Sequence, residues 1–470
     1  MLQIYEPHEA TVKLLGEQKV CYDKQYRRLN YLLDYEVSEG LLIYNVLTRH
    51  LILLSNDERS FVENPTDVNN SISAELIKNW FLVPEETDEF TLSNQVYNLI
   101  SSFYYSNTNP MHIFTIFPTT DCDARCFYCF ERGRTRTNMT PQTALDVADF
   151  IIKKSKGADE IKIRWFGGEP LFNSQVIDII CNKLRSAGIK FKSHITTNAY
   201  LFDKQTAERA VKDWNVFGTQ ITLDGTEDIY NRSKNFIYKD GSAFKVVINN
   251  ISHILESGIF VSVRMNMDAH NSNDLYELTD FLYEKFGEYR NFFAYAHLLF
   301  EDSGKLQMER NDIERHMMIH QFFELSKYIS SKFPQKNNKT VHHLMQYHQC
   351  MADDPSTTTI LPGGELGKCE HYSDNYFWGS IYSDKINYDS LNAFREYQNL
   401  GEQCVGCQLR PMCRNLVLCA QTVPRCDSVD KELRLNHIRK CVMTTYNNYK
   451  NNLSNEDGSK SDESFLVSDC

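Results

Sequence analysis

The 470-residue sequence predicts an α/β protein built on an incomplete parallel (β/α)6 barrel of six strand–helix units, with smaller units before and behind it. Three observations carry this expectation. Short apolar runs of strand length alternate with amphipathic stretches of helical length from Ile113 onward, the pattern of a parallel α/β sheet. The 42% hydrophobic content over this length suffices for two or three buried cores. Three of the 14 cysteines crowd directly behind the first apolar run, at the carboxyl end of a strand, where barrels keep their functional loops.

In chain order, residues 1–105 come ahead of the barrel. A strand at 31–37 and a hairpin of 41–46 and 50–54 around Thr48-Arg49 precede helical stretches at 56–62 and 73–80 and the run Phe81-Leu82-Val83-Pro84. Strands, helices and a short wing predict a small winged-helix-like unit. The barrel strands are expected at 113–117, 161–165, 191–196, 217–223, 260–265 and 292–298. Helices fall between them at 141–154, 174–186, 204–213, 243–256 and 273–286, the first opened by Thr140 as N-cap with Pro141 at the first helical position. Six units are fewer than the eight of a closed barrel. The expected boundaries are 106–310 for the barrel, 311–344 for a helical linker, 345–448 for a cysteine-rich domain and 449–470 for a polar, disordered tail. No internal repeat is present.

Fifty basic against 62 acidic residues leave a net charge of −12, which argues against a general nucleic-acid binder and suits a basic peptide as partner. No apolar stretch reaches 18 residues, and MLQIYEPHEA lacks the charged and apolar regions of a secretion signal. The expectation is a cytoplasmic protein with no membrane partner, whose thiols stay reduced, so that many cysteines point to metal rather than disulfides. Cys21, Cys181 and Cys470 stand alone, and Cys181 falls on the apolar face of its helix as a core residue.

Cys122, Cys126 and Cys129, spaced Cys-x3-Cys-x2-Cys, put three thiolates on one short loop. Three thiolates leave one iron of a four-iron cluster open to an outside ligand. Zinc sites instead pair two Cys or His halves, and the triplet has no such partner nearby. The second strand ends in Phe166-Gly167-Gly168-Glu169-Pro170, where two glycines permit close backbone approach to a ligand and Glu169 offers a carboxylate to a cation. With the aromatic Tyr128 before the third cysteine, these motifs resemble the radical S-adenosylmethionine (SAM) superfamily. The resemblance implies a [4Fe-4S] cluster on the triplet, SAM chelated through its amino and carboxylate groups by the open iron, and reductive cleavage to a 5′-deoxyadenosyl radical. It implies that Gly167, Gly168, Glu169 and Pro170 bind the methionyl amino group. It also brings Thr197 and Asn198 near the ribose, although Ala199 stands where the family has glycine. Asp224 after the fourth strand and Arg264 and Asn266 at the end of the fifth are further candidate SAM contacts, at positions where Asp and Asn also start turns. Arg132, Arg134 and Arg136 read as a solvated loop in preference to a docking site for an acidic substrate or electron donor.

Behind the barrel come Cys350, Gly364 and Cys369, then Cys404-x2-Cys407-x5-Cys413-x5-Cys419, followed by Cys426 and Cys441. This run resembles the SPASM extension of peptide-modifying radical SAM enzymes, with five residues between Cys413 and Cys419 where the family has three. The resemblance implies two auxiliary [4Fe-4S] clusters, a distal one on Cys404, Cys407, Cys413 and Cys441 and a nearer one on Cys350, Cys369 and Cys419. Either Cys426 completes the nearer cluster, or its open iron holds a substrate thiolate, which is the preferred reading. A pair of zinc ribbons is the structural alternative.

The N-terminal unit resembles the leader-binding domains of ribosomal-peptide maturases, which capture a leader as an added edge strand; a structural cap is its alternative. Together the resemblances imply an enzyme that abstracts a hydrogen atom from a precursor peptide, with a flavodoxin or ferredoxin-type electron donor. The preferred outcome is a cysteine thioether crosslink, as in sactipeptide and ranthipeptide maturases, and carbon–carbon crosslinking comes next. The alternative from a different class is an anaerobic sulfatase-maturating, formylglycine-forming enzyme, against which the long region before the triplet weighs.

Overall fold

The computed structural model describes residues 1–6, 15–65, 68–106, 110–299, 312–334, 340, 341, 344, 350–372, 376–394, 402–413, 418 and 428–455. Ahead of the barrel, β1 (Leu2–Tyr5), β2 (Tyr26–Arg28), β3 (Leu32–Val37), β4 (Gly40–Asn45) and β5 (Leu51–Leu54) lead into α1 (Ser60–Glu63), α2 (Ser71–Lys78), β6 (Leu82–Pro84) and α3 (Glu89–Ser106). One antiparallel sheet runs β1-β5-β4-β3, and β2 pairs with β6. Gly40 opens β4 at φ 144°, and a side chain there would begin 2.1 Å from the Leu54 carbonyl oxygen, so only glycine lets the two strands meet. Every position of β4 is buried, which is why its sequence is a continuous apolar run without alternation.

The barrel follows as β7 (Ile113–Ile116), α4 (Pro141–Lys154), β8 (Ile161–Trp165), α5 (Ser174–Ser186), β9 (Phe191–Thr197), α6 (Lys204–Lys212), β10 (Val216–Thr222), α7 (Glu227–Lys234), α8 (Ala243–Glu256), β11 (Phe260–Met267), α9 (Asp274–Phe286), β12 (Phe292–Leu298) and α10 (Asp312–Lys332). Its six strands are parallel and adjacent in sequence order. They fall where the apolar runs place them, apart from fraying at their ends. Phe114, Ile116, Ile163, Trp165 and Ile195 join one core with the buried stripes of the helices, Val147, Ala148 and Ile151 on α4 and Ile177, Ile180 and Leu184 on α5. Cys181 is fully buried in the same core.

The rear of the chain is more closely joined to the barrel than its sequence suggests. Leu325 and Ile329 of α10 and Phe333 just beyond it enter the barrel core, so the stretch expected as a linker supplies the helix of the sixth unit. β13 (Thr357–Ile360) then extends the barrel sheet parallel to β7, with β14 (Glu365–Gly367) and β15 (Gly379–Ser380) antiparallel beyond it. Three threonines in four buried positions gave no apolar run to mark β13. After α11 (Tyr388–Ala393) and α12 (Glu402–Val405), α13 (Ser428–Asn455) continues through 449–455, part of the expected tail. Residues 456–470 lie outside the described chain.

On α13 the stripe Ile438, Cys441, Val442 and Tyr446 closes one core with β4, β5, Leu76 and Phe81. The two ends of the chain therefore stabilise each other. Ile438→Ala should lower stability by about 2–4 kcal/mol, the usual cost of truncating a buried aliphatic side chain, measured by thermal or denaturant unfolding. Amide exchange in β4 and β5 should rise in the same variant. Unchanged exchange there would show that α13 does not support the N-terminal sheet.

Candidate active site

The loop from Phe117 to Thr140, between β7 and α4, carries the three cysteines and is held at both ends. Its far end is stitched back to its beginning by Thr120 N to Thr137 O at 2.9 Å, Met139 N to Pro118 O at 2.9 Å and Thr119 Oγ1 to Asn138 Oδ1 at 2.6 Å. Its beginning lies on the loop after β8, with Gly168 N donating to Thr119 O at 3.1 Å and Glu169 N to Asp121 O at 2.9 Å. A side chain at Gly167, where φ is 118°, would start 2.3 Å from Thr119 O, and one at Gly168 would start 2.1 Å from Asp121 O. The glycines, read from sequence as room for a ligand, make room for the backbone of the cysteine loop.

Within that loop, Ala124 N donates to Cys122 Sγ at 3.3 Å, Cys129 N to Cys126 O at 3.3 Å, and Cys126 Sγ lies 4.0 Å from Lys234 O. All three thiols are free. Burial raises the pKa of each, that of Cys129 to about 11, and at Cys122 the charge of Glu169 adds to the effect. Among the described residues no three His, Cys, Asp or Glu donors are already drawn into metal-binding geometry, so the thiols share a loop rather than a preformed cage.

Glu169 is completely buried below the loop. Its Oε1 accepts from Leu171 N at 3.1 Å and Thr197 Oγ1 at 2.7 Å, and its Oε2 from Asn198 N at 2.8 Å. Pro170 and Leu171, both buried, open the short 3-10 turn that presents the Leu171 N–H. Asn198 Nδ2 donates to Asp123 Oδ1 at 2.6 Å, joining a second buried carboxylate that the sequence reading did not single out. Asp123 Oδ2 has no hydrogen-bond partner among the described residues. Desolvation, then the charge of Asp123, raises Glu169 to about 8, and desolvation also raises Asp123. Two buried acids sharing one amide form a site suited to a cation. Ala199, after Asn198, takes the left-handed conformation at φ 63° that glycine would adopt without strain.

Beside the loop, Tyr128 donates its hydroxyl to Asp224 Oδ2 at 2.5 Å, and Lys234 Nζ reaches both Tyr128 Oη at 2.6 Å and Asp224 Oδ2 at 3.0 Å. On β11, Arg264 Nε donates to Asn266 Oδ1 at 2.9 Å and its Nη2 lies 2.9 Å from His297 Nδ1 on β12. Desolvation and Arg264 lower His297 to about 4, so it is neutral at pH 7. Lys234 and His297 were missed because each lies on an element far along the sequence from the motifs. Arg132 and Arg136 are exposed, as a solvated loop has them, with Arg136 pairing with Asp121 at 3.3 Å, while half-buried Arg134 donates to His371 O at 2.5 Å. The Phe130 ring lies 4.4 Å from that of His371.

Of the rear cysteines, Cys350 precedes β13 and Cys369 follows its antiparallel partner β14, and Lys368 Nζ ties this end together through Asp354 O and Thr357 O. Cys407 and Cys441 pack in the same core, with Cys404 on α12 nearby in sequence, and Arg434 Nη1 of α13 lies 3.3 Å from Cys413 Sγ. Cys419 and Cys426, and with them the choice between a complete and an open nearer cluster, lie outside the described residues. Among the described residues no helix is long and apolar enough to cross a membrane.

Residues 116–282 match the model of the Radical SAM superfamily. An uncharacterized protein of Methanocaldococcus jannaschii is 32% identical over 122 residues, which are 25% of this chain and 41% of the relative. A probable GTP 3′,8-cyclase of Archaeoglobus fulgidus is 27% identical over 168 residues, 35% of this chain and 52% of the relative. The chain thus spans about two fifths to half the length of these curated relatives. Among solved structures, anSMEcpe with bound AdoMet and Cp18Cys peptide aligns with TM-score 0.55 at 14% identity, covering 72% of this chain and 100% of that one. Streptococcus suis SuiB bound to S-adenosylmethionine aligns with TM-score 0.50 at 17% identity, covering 83% of this chain and 95% of that one. These structures show the shared fold. Residues 116–282 carry a radical SAM domain, which implies SAM and one [4Fe-4S] cluster.

The residues fit both groups: three free thiols on one loop, and a buried pair of carboxylates with an unpartnered oxygen beneath them. A cation bound at Glu169 would displace the proton that its raised pKa keeps in place. SAM affinity should therefore weaken as pH falls, with proton release on SAM binding. Calorimetry in buffers of different ionisation enthalpy checks this, and Glu169→Gln should bind SAM at least about tenfold more weakly, with the proton release gone. A pH-independent affinity in the native protein would remove Glu169 from the ammonium site. Gly168→Ala, whose Cβ meets backbone rather than a movable side chain, should lose most of its triplet iron after reconstitution.

Proposed function

We propose that this radical SAM enzyme modifies a ribosomally made precursor peptide, abstracting a hydrogen atom and forming a cysteine thioether crosslink. The observation that carries this reading is the contact between the two cysteine-bearing regions. His371, two residues after Cys369, lies against Phe130, the residue after Cys129, and its carbonyl receives Arg134. A second metal-binding region held against the reactive loop is what a reaction needs that removes a further electron after hydrogen abstraction. When bound, SAM and its cluster supply the 5′-deoxyadenosyl radical.

The chain's own residues bind, orient and exclude water. Cys122, Cys126 and Cys129 would hold the cluster; Glu169, with Asp123 beside it, would seat the methionyl ammonium; Asn198 would be fixed by Glu169 and Asp123 to face the ribose. Tyr128, anchored through its hydroxyl to Asp224 and Lys234, keeps its ring at the edge of the loop. Arg264 and Asn266 line the adjoining strand end. Cys404, Cys407, Cys413 and Cys441 would carry the distal auxiliary cluster and Cys350, Cys369 and Cys419 the nearer one, with Cys426 its fourth ligand or a bystander.

For the leader, the outer edge of β3 is suited to strand addition, since its other edge pairs with β4 and no described strand lies beyond it. Asp34 and Glu36 lie on the exposed face of β3, paired with Arg28 at 2.5 Å and Arg59 at 2.7 Å, and a basic leader would exchange with those arginines for the two carboxylates. Deleting the first 105 residues would strip the apolar stripe of α13, so point substitutions are the cleaner test. Asp34→Lys with Glu36→Lys should weaken leader binding by at least about tenfold, as like charges replace complementary ones, while uncoupled 5′-deoxyadenosine formation persists. Equal leader affinity would reduce the unit to a structural cap.

The activity test uses anaerobically reconstituted protein, SAM, dithionite and cysteine-rich peptides encoded beside it, read by mass spectrometry. Loss of two hydrogens per crosslink with blocked thiol alkylation is the expected result. Conversion of a cysteine to an aldehyde would assign a formylglycine-forming enzyme instead, and loss of two hydrogens with free thiols a carbon–carbon cyclase. The triple Cys122→Ala, Cys126→Ala, Cys129→Ala variant should form no 5′-deoxyadenosine yet keep iron on the rear cysteines.

A further inference from the structure

Lys234, the last residue of α7, is 4% exposed, a rare condition for lysine and one that requires partners. Its ammonium donates to Tyr128 Oη at 2.6 Å, pairs with Asp224 Oδ2 at 3.0 Å and lies 5.2 Å from the centre of the Tyr128 ring. Its main chain serves the same loop: the Lys234 carbonyl accepts from Arg125 N at 2.8 Å and lies 4.0 Å from Cys126 Sγ. Asn235, left-handed at φ 45°, then turns the chain so that Ile237 N reaches Asp123 O at 2.8 Å. One residue thus holds the loop on both sides of Cys126, through Arg125 and through Tyr128.

The charge matters as much as the contacts. Asp123, Glu169 and Asp224 are three buried acids around the thiols. Lys234 Nζ sets a buried cation against them, 3.0 Å from Asp224 Oδ2 and 2.6 Å from Oη of Tyr128, the residue between Cys126 and Cys129 on the loop.

We propose that Lys234 is a positioning residue that fixes the cysteine loop and raises the reduction potential of the cluster that Cys122, Cys126 and Cys129 would hold. Reduction moves one electron from an external one-electron donor onto the cluster, and a cation fixed in a low-dielectric surround stabilises the added negative charge. The inference rests on the radical SAM domain and not on the peptide reading, so failure of one leaves the other standing.

The test is a redox titration of the full-length, anaerobically reconstituted protein with dithionite and mediators. It follows, by electron paramagnetic resonance, the reduced-cluster signal that changes when SAM is added. Lys234→Met should titrate at a more negative potential than the native protein, Asp224→Asn at a less negative one, and Lys234→Arg close to native. A merely structural role would not move the first two in opposite directions. Lys234→Met leaves Asp224 buried without its partner and can fail to fold. The double variant Lys234→Met with Asp224→Asn removes both charges and should titrate more negative than Asp224→Asn alone, since the two differ only in the lysine's charge. Identical potentials in the double variant and Asp224→Asn, or shifts of one sign in Lys234→Met and Asp224→Asn, would overturn the assignment.

Discussion

The close contact of Gly167 and Gly168 with the carbonyl oxygens of Thr119 and Asp121 fixes the site on which everything else depends. It arises from the parallel pairing of β7 and β8, which ends in register at Ile116 and Trp165 and delivers both loops to the same place. No side chain fits between the two backbones, so the separation of the cysteine loop from the Glu169 carboxylate is set by main-chain hydrogen bonds and not by flexible groups. Such a separation tolerates little substitution, because the carbonyls that would have to yield are themselves the acceptors that join the two loops.

Around that contact the protein accumulates polar groups that a stable core would avoid. Glu169 is buried with three donors, Asp123 is buried with one oxygen unpartnered, and Tyr128, Asp224 and Lys234 form a closed triangle. Raised carboxylate pKa values mean that the chain alone holds these acids at a cost, which a cationic ligand would relieve. Local rules broken together at one end of a sheet mark a functional site rather than a defect of packing.

The reactive centre was legible in sequence because its chemistry needs rare residues at fixed spacing, as at Cys122, Cys126 and Cys129 and at Gly167 to Pro170. The barrel strands were legible because each is an apolar run between turn signals. What stayed hidden depends on tertiary neighbours. Lys234 sits 106 residues from Tyr128 in a charged stretch that reads as a solvated helix face. Asp123 reads as a turn residue until Asn198 is seen beside it. β13 is mostly threonine, and α10 offered no hint that it belongs to the barrel rather than to a connection. The glycines were legible as positions of close approach, and the backbone of the cysteine loop takes up that space.

The rear segment and the first residues are built onto this centre rather than strung beside it. β13 widens the barrel sheet, His371 reaches the loop of Cys129, and α13 closes the N-terminal core. We infer that the triplet would hold a cluster with one iron open to SAM, whose ammonium Glu169 would seat. Electron–nuclear double resonance on the dithionite-reduced, anaerobically reconstituted protein with SAM labelled with nitrogen-15 at its amino group probes this arrangement. A hyperfine coupling between that nitrogen and the cluster is the result expected; a cluster signal unaltered by SAM, with no such coupling, would contradict it.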